Sequence, residues 1–340
     1  MEQKNYALTG KRQVVYNPVG SRRLFTNPDA DEVRAFFREK PREKVDKTTT
    51  VKEAVARLVH DGDYISVGGF GGTRIPTALL HEIVRQRKKN LGLAGHTATH
   101  DFQILAAGRC INRCDIAYII GLEARGLSRR SREAIEKGEI EVTEWTNAAL
   151  AWRYKAAAMG ISFIPTRTMF GTDTVKHSAA VEMECPFTGK KYLAIPALFP
   201  DVALIHVHRA DVYGNCQVDG IMVSDYDLAR AAKHLIITTE RLVPEDIIRR
   251  EPHRTAIPYY LVDAVIEVPY GSYPANMPYE YYSDEEHLQE WLRVEQDPEQ
   301  LTEFLERNIY GVEDFWSYIQ LNGGLKRMTE LRQQEVLVEK

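Results

Sequence analysis

Between Thr50 and Val268, short apolar runs of β type alternate with stretches of helical periodicity. Val51, Ala54, Val55, Leu58 and Val59 fall on one helical stripe. Thr50 with Glu53 three residues on is a capping-box signature. Asp61-Gly62-Asp63 ends that helix, and Tyr64-Ile65-Ser66-Val67 reads as a strand. The pattern continues with strands over 91–94, 116–120, 140–142, 161–164, 202–207, 235–237 and 262–268. Between them lie helices over 76–87, 102–107, 128–137, 148–159 and 226–232. Strands that alternate with short helices require crossover connections. The expected fold is therefore α/β, with a mainly parallel sheet covered by helices on both faces.

The flanks have a different texture. Residues 1–46 are polar and charged and read as an N-terminal extension, with a solvated helix or strap over 34–47 broken near Pro41. Residues 47–282 form the α/β domain. Residues 283–340 lose strand signals and carry helical stretches around Trp291, Phe304-Leu305, Phe315-Trp316 and 325–331, a region expected to pack on the sheet or on a partner.

A chain of 340 residues, 44% apolar and 27% charged, has ordinary globular composition and can bury a large core without cross-links. Its formal charge of 44 − 48 = −4 argues against a dedicated nucleic-acid binder. No apolar run reaches the roughly 18–20 residues that span a bilayer, and Met1-Glu2-Gln3-Lys4-Asn5-Tyr6 lacks an apolar signal core. A cytoplasmic protein without a membrane partner is expected. Cys110, Cys114, Cys185 and Cys216 are sparse and irregular, which fits reduced thiols. Cys110 and Cys114 have no second pair at zinc-site spacing, so no metal is expected.

The strongest local feature is a strand, a glycine run and a helix start over 64–80. In Gly68-Gly69-Phe70-Gly71-Gly72, backbone N–H groups can approach a ligand without Cβ interference. A following helix start suits a carboxylate, a phosphate or a thioester oxyanion, and Arg74 could add a cation. No Gly-Lys-Ser/Thr follows, and Arg74 stands where the third glycine of a dinucleotide fingerprint belongs. A tight strand-to-helix turn without a ligand is the alternative.

The run from Gly62 to Pro76 resembles the opening of the α subunits of family I coenzyme A transferases, the glutaconate CoA-transferase type. Similar stretches follow in order. They include 116–120, Ser128-Arg129-Arg130 with Gly138, 156–165, Ala194-Ile195-Pro196, 201–206, 211–215 and 262–266. The resemblance covers about residues 48–280. It implies one subunit of a heteromeric enzyme that moves CoA between an acyl-CoA and a carboxylic acid through a glutamyl-CoA intermediate. The glutamate would sit on a β-type partner, after a strand in a Glu-x-Gly setting. The matching strand here, Leu91-Gly92-Leu93-Ala94-Gly95-His96, has no carboxylate, so no catalytic nucleophile is expected in this chain. Gly68, Gly69, Phe70, Gly71, Gly72, Arg74 and His96 would bind substrate or CoA. No permanently bound cofactor is implied, since the CoA thioester is substrate. The alternative within the fold is a subunit of a ring-opening hydrolase or a decarboxylase acting on a CoA thioester.

Other candidates stay open. Glu123 could be an acidic group of the site or a partner of Arg125 or Arg129. Glu144, near Trp145, could be a burial-tuned base or a half-exposed strand residue. Asn147 stands where the resemblance would put a hydrolase glutamate. His206 and His208 share a strand face, and His96 and His100 are four apart. Each pair lacks a further metal ligand in its pattern. The run Ser128-Arg129-Arg130-Ser131-Arg132 could meet CoA phosphates or be a solvated face.

Overall fold

The computed structural model describes residues 16–119, 121 and 125–336. Seven parallel strands form the centre: β1 (Tyr64–Val67), β2 (Leu91–Gly95), β3 (Ile111–Ile116), β4 (Glu141–Glu144), β5 (Val202–Ala210), β6 (His234–Leu242) and β7 (Ala264–Glu267). Their spatial order is β7-β6-β5-β1-β2-β3-β4. Short antiparallel strands Cys216–Gln217 and Thr255–Ile257 extend the C-terminal end of β5. The predicted α/β class, with a mainly parallel sheet, is the one observed.

Side-chain alternation splits the core across the sheet. Ile65, Val67, Val202, Leu204 and Ile236 point into one apolar cluster with the helices Thr77–Arg85 and His100–Ala107. Tyr64, Ala203, Ile205, Leu235 and Ile237 point into the other with the helices Asn147–Ala158 and Asp225–Ala231. The sheet grows outward from β1 to β4, and the chain then returns to lay β5 on the other side of β1. The gap between β1 and β5 is thus the point where strand order reverses. In open parallel sheets, ligands bind outside the carboxyl ends of the strands at such a point.

Thr50 caps the helix Val51–Leu58 in the capping box that its spacing predicts. Two other expectations are corrected. The strand predicted over 116–120 is β3, Ile111–Ile116, and residue 120 lies outside the described residues. An apolar-run criterion passes over Asn112-Arg113-Cys114-Asp115. The strand forms because Asp115, fully buried, finds Tyr64 Oη at 2.5 Å, Trp145 Nε1 at 2.6 Å and Arg153 Nη1 at 2.5 Å. The strand expected over 161–164 forms as Phe163–Thr166, but it belongs to a separate antiparallel sheet. That sheet orders Tyr16–Pro18, Val181–Glu184, Lys191–Pro196 and Phe163–Thr166 side by side.

The flanking segments pack against the same layers. Helix Ala30–Glu39 buries Ala30 and Val33 against Ala156, Ala157, Ala197 and Phe199. The ammonium of Lys40 spends its three donors on Asp263 at 2.7 Å, Lys233 O at 2.8 Å and Leu261 O at 2.9 Å. The C-terminal helices Glu285–Val294, Pro298–Leu305, Phe315–Leu321 and Gly324–Gln334 place Trp291, Phe304, Ile319 and Met328 in the cluster that holds β1 and β2. Each such large side chain contributes about 1.5–3 kcal/mol on burial.

Candidate functional site

The glycine run leaves the carboxyl end of β1 at the strand-order reversal, where it is tied to four other segments. Gly68 N–H donates to Leu204 O at 2.8 Å, which ties the turn to β5. Gly69 N–H donates to Asp225 Oδ1 at 2.8 Å. Gly71 N–H donates to Thr97 O at 2.9 Å, and Thr99 Oγ1 returns a bond to Gly71 O at 2.8 Å. Asn276 accepts from Arg74 N–H at 2.9 Å and donates to Gly72 O at 2.9 Å. At Gly69 (φ +83°) an added Cβ would lie 2.3 Å from Thr73 O, so the turn closes only on glycine.

These bonds narrow the expected anion cradle. The N–H groups of Gly68, Gly69, Phe70, Gly71, Thr73 and Arg74 are bonded within the protein. That of Gly72 alone in this run has no partner among the described residues. The guanidinium of Arg74 is fully buried, ion-paired with Asp225 and donating to Ile221 O at 2.8 Å, and so braces the turn from within.

His96 follows β2 and borders the turn. Its ring meets Phe70 edge-on at 5.3 Å between centroids, and its Nδ1 is hydrogen-bonded to Ser224 Oγ at 3.0 Å. Burial holds its pKa down to about 4, so the ring is neutral at neutral pH. Phe70 keeps 36% of its surface exposed and forms the open rim of the site. Thr97 Oγ1 donates to Asn147 Oδ1 at 2.8 Å, which brings Asn147 to the same edge of the sheet.

Most of the remaining candidates have structural partners. His206 is buried with Nδ1 on Thr238 Oγ1 at 2.8 Å and Nε2 on Glu240 Oε1 at 2.7 Å. His208 contacts Pro278 O at 2.8 Å and accepts from Asp219 N–H at 3.0 Å. His100 lies against Trp291 and Gln103. Glu144 is half-buried on β4. Ser128 caps the basic helix Arg129–Glu136, where Arg129 pairs with Glu133 and Arg130 with Glu139. Glu123 lies outside the described residues. All four cysteines are unpaired. A cavity of about 720 Å³ beside helix Ala30–Glu39 and the small sheet shares no residue with the glycine turn.

Residues 48–268 match the sequence model of coenzyme A transferases. The chain belongs to the coenzyme A transferase family. A protein of Archaeoglobus fulgidus named only as uncharacterized is 52% identical over 92% of this chain and 70% of its own length. The A subunit of the 3-oxoadipate CoA-transferase of Pseudomonas knackmussii is 35% identical over 78% of this chain and 94% of its own. The crystal structure of glutaconate coenzyme A-transferase from Acidaminococcus fermentans matches with a TM-score of 0.79 at 29% identity, covering 84% of this chain and 95% of that one.

In this CoA-transferase chain the turn depends on groups with no local signature. Ser224 and Asp225 look like an ordinary cap for helix Asp225–Ala231, yet Ser224 makes no cap bond and turns to His96. By sequence, Arg125 reads only as a counter-ion for Glu123. Among the described residues it pairs with Glu285, at 2.6 Å, and lies beside Gly72. No local signal links 125 to 285.

Proposed function

We propose that this chain is the α-type half of a two-subunit CoA transferase. A glutamate carboxylate of a β-type partner attacks the acyl-CoA carbonyl, the C–S bond breaks and CoA leaves as thiolate, giving a mixed anhydride. The thiolate then attacks the glutamyl carbonyl, releasing the first acid and leaving glutamyl-CoA. A second carboxylic acid reverses the two steps and departs as the new acyl-CoA. This chain supplies the wall of the site: the turn Gly68–Gly72, the ring of Phe70 and the neutral imidazole of His96.

The observation that carries this reading is how the carboxylates at the turn, among the described residues, are spent. β2 delivers His96 to the site, Asp225 gives its oxygens to Gly69 and Arg74, and Glu285 gives its own to Arg125. The relatives' names, with the A subunit of the 3-oxoadipate enzyme among them, support the two-chain form. No helix among the described residues is long and apolar enough to cross a membrane. The four unpaired thiols support a reducing, cytoplasmic setting.

Co-expression with a β-type chain tests the reading. The complex should exchange CoA between an acyl-CoA and an added acid, and the isolated chain should be inactive. Exchange by the isolated chain would overturn the two-chain reading. Thioester loss without an acceptor acid would favour the hydrolase or decarboxylase alternative.

A further inference from the structure

Ser224 stands immediately before helix Asp225–Ala231, the place where a serine hydroxyl ordinarily accepts from a backbone N–H of the first helical turn. It makes no such bond. Its Oγ is hydrogen-bonded to Nδ1 of His96 at 3.0 Å, 128 residues away in sequence. Both residues are buried, Ser224 with 5% of its surface exposed and His96 with 8%. A local capping rule is thus set aside for a long-range contact at the edge of the site, and such exceptions gather at functional sites.

The contact bears on one degree of freedom. The outer torsion of a histidine side chain has two broad wells, which exchange the two edges of the ring. One well turns Nδ1 to Ser224; the other would turn Cδ2 there, where no such bond forms. The backbone beyond β2 is already held, because Thr97 O accepts from Gly71 N–H at 2.9 Å and Thr99 Oγ1 donates to Gly71 O at 2.8 Å. Phe70 meets the imidazole edge-on at 5.3 Å between centroids, an apolar contact that steadies the ring. The next residue, Asp225, holds Gly69 N–H and Arg74. Residues 224 and 225 therefore secure the exits of β2 and β1 from one helix start.

We propose that Ser224 is a positioning residue for CoA transfer, its hydroxyl selecting which edge of the His96 ring faces the site. It acts through His96 and not on the substrate. The inference rests on the CoA-transfer reading, in which the imidazole of His96 is part of the wall against the acyl-CoA. Serine suits the task because its hydroxyl both donates and accepts, so it keeps its bond to a neutral ring in either tautomer. Burial keeps the ring neutral, with its pKa down to about 4.

Two readouts on the two-subunit complex test it. Nuclear magnetic resonance of the complex with isotope-labelled histidine reads the ring itself. The wild type should give one sharp set of His96 ring signals, assigned by their loss in His96→Gln, and Ser224→Ala should give two sets or exchange broadening. CoA exchange reads the consequence. Ser224→Ala should lower kcat about three- to tenfold, the scale of one hydrogen bond, with KM for acyl-CoA nearly unchanged. Ser224→Thr keeps the hydroxyl and should recover most of the loss. A single His96 signal set or an undiminished kcat in Ser224→Ala overturns the proposal. Equal losses in Ser224→Ala and Ser224→Thr also overturn it, because the hydroxyl is then not what matters. Failure of the functional reading is separate: the wild-type complex would exchange no CoA, while the ring signals would still report whether Ser224 orients His96.

Discussion

Arg74 and Asp225 form a fully buried ion pair 151 residues apart in sequence, and the same carboxylate holds the N–H of Gly69. Arg74 has a left-handed backbone (φ +57°) inside the glycine turn, and its Nε is sealed without an acceptor. The pair gives the turn its shape from beneath.

Breaking that pair from one side should be costly. Asp225→Ala leaves a buried guanidinium without its counter-ion and should destabilise the chain by about 3–5 kcal/mol. Replacing both residues, Arg74→Met with Asp225→Leu, should cost less than Asp225→Ala alone in urea unfolding. A double variant less stable than Asp225→Ala contradicts the pairing argument.

The turn itself should reject a side chain at position 69. Gly69→Ala adds a left-handed backbone penalty of about 1–2 kcal/mol and a Cβ that runs into Thr73 O. Gly62→Ala carries a similar positive φ in open space, so only the backbone penalty applies. CoA exchange by the reconstituted complex should survive Gly62→Ala and fall steeply in Gly69→Ala.

Acid should weaken the fold through its buried histidines. Burial holds His96, His208 and His287 down to about 4 and His100 to about 3, so between pH 6.5 and these values the unfolded chain binds more protons. Their contribution is complete above pH 6.5 and is lost as the pH falls, on the order of 3–5 kcal/mol per histidine. The urea midpoint should drop between pH 7 and pH 5, and the drop should shrink in His287→Gln. An unchanged midpoint in the wild type speaks against this.

Glu295 should act in the opposite sense. It caps the basic helix from a distance, accepting from Ser128 Oγ at 2.7 Å and Arg129 N–H at 2.8 Å, while burial pushes its carboxyl up to about 7. Its folded pKa lies above the unfolded one, so its favourable term is complete below about pH 4.5 and lost as the pH rises through 7. Glu295→Gln should gain on the wild type as the pH goes from 5 to 8, read as the difference in unfolding midpoints. A constant difference would show that Glu295 does not titrate there.

Much of the scaffold is legible in the sequence because it rests on local spacing. The stripe from Val51 to Val59, the box of Thr50 and Glu53 and the run from Tyr64 to Gly72 each carry their signal within about ten residues. The small antiparallel sheet is not legible in this way. Val181–Glu184 and Lys191–Pro196 alternate weakly, and their turn over 185–190 reads only as a polar segment. β3 is displaced from its expected place for a different reason. Its aspartate is tolerable inside a sheet only because Tyr64, Trp145 and Arg153 reach it from other elements.

The sequence by itself determined the alternation of strands and helices, the parallel sheet that follows from it and the glycine turn at the end of the first strand. Hydrophobic period and glycine conformational freedom act over a few residues. Which arginine reaches the turn was decided only in three dimensions. Arg74 lies within the run yet is drawn under it by Asp225, and Arg125, far along the chain, is swung over Gly72 by Glu285. Burial and counter-ions set the place of a charge, and both are properties of the packed chain.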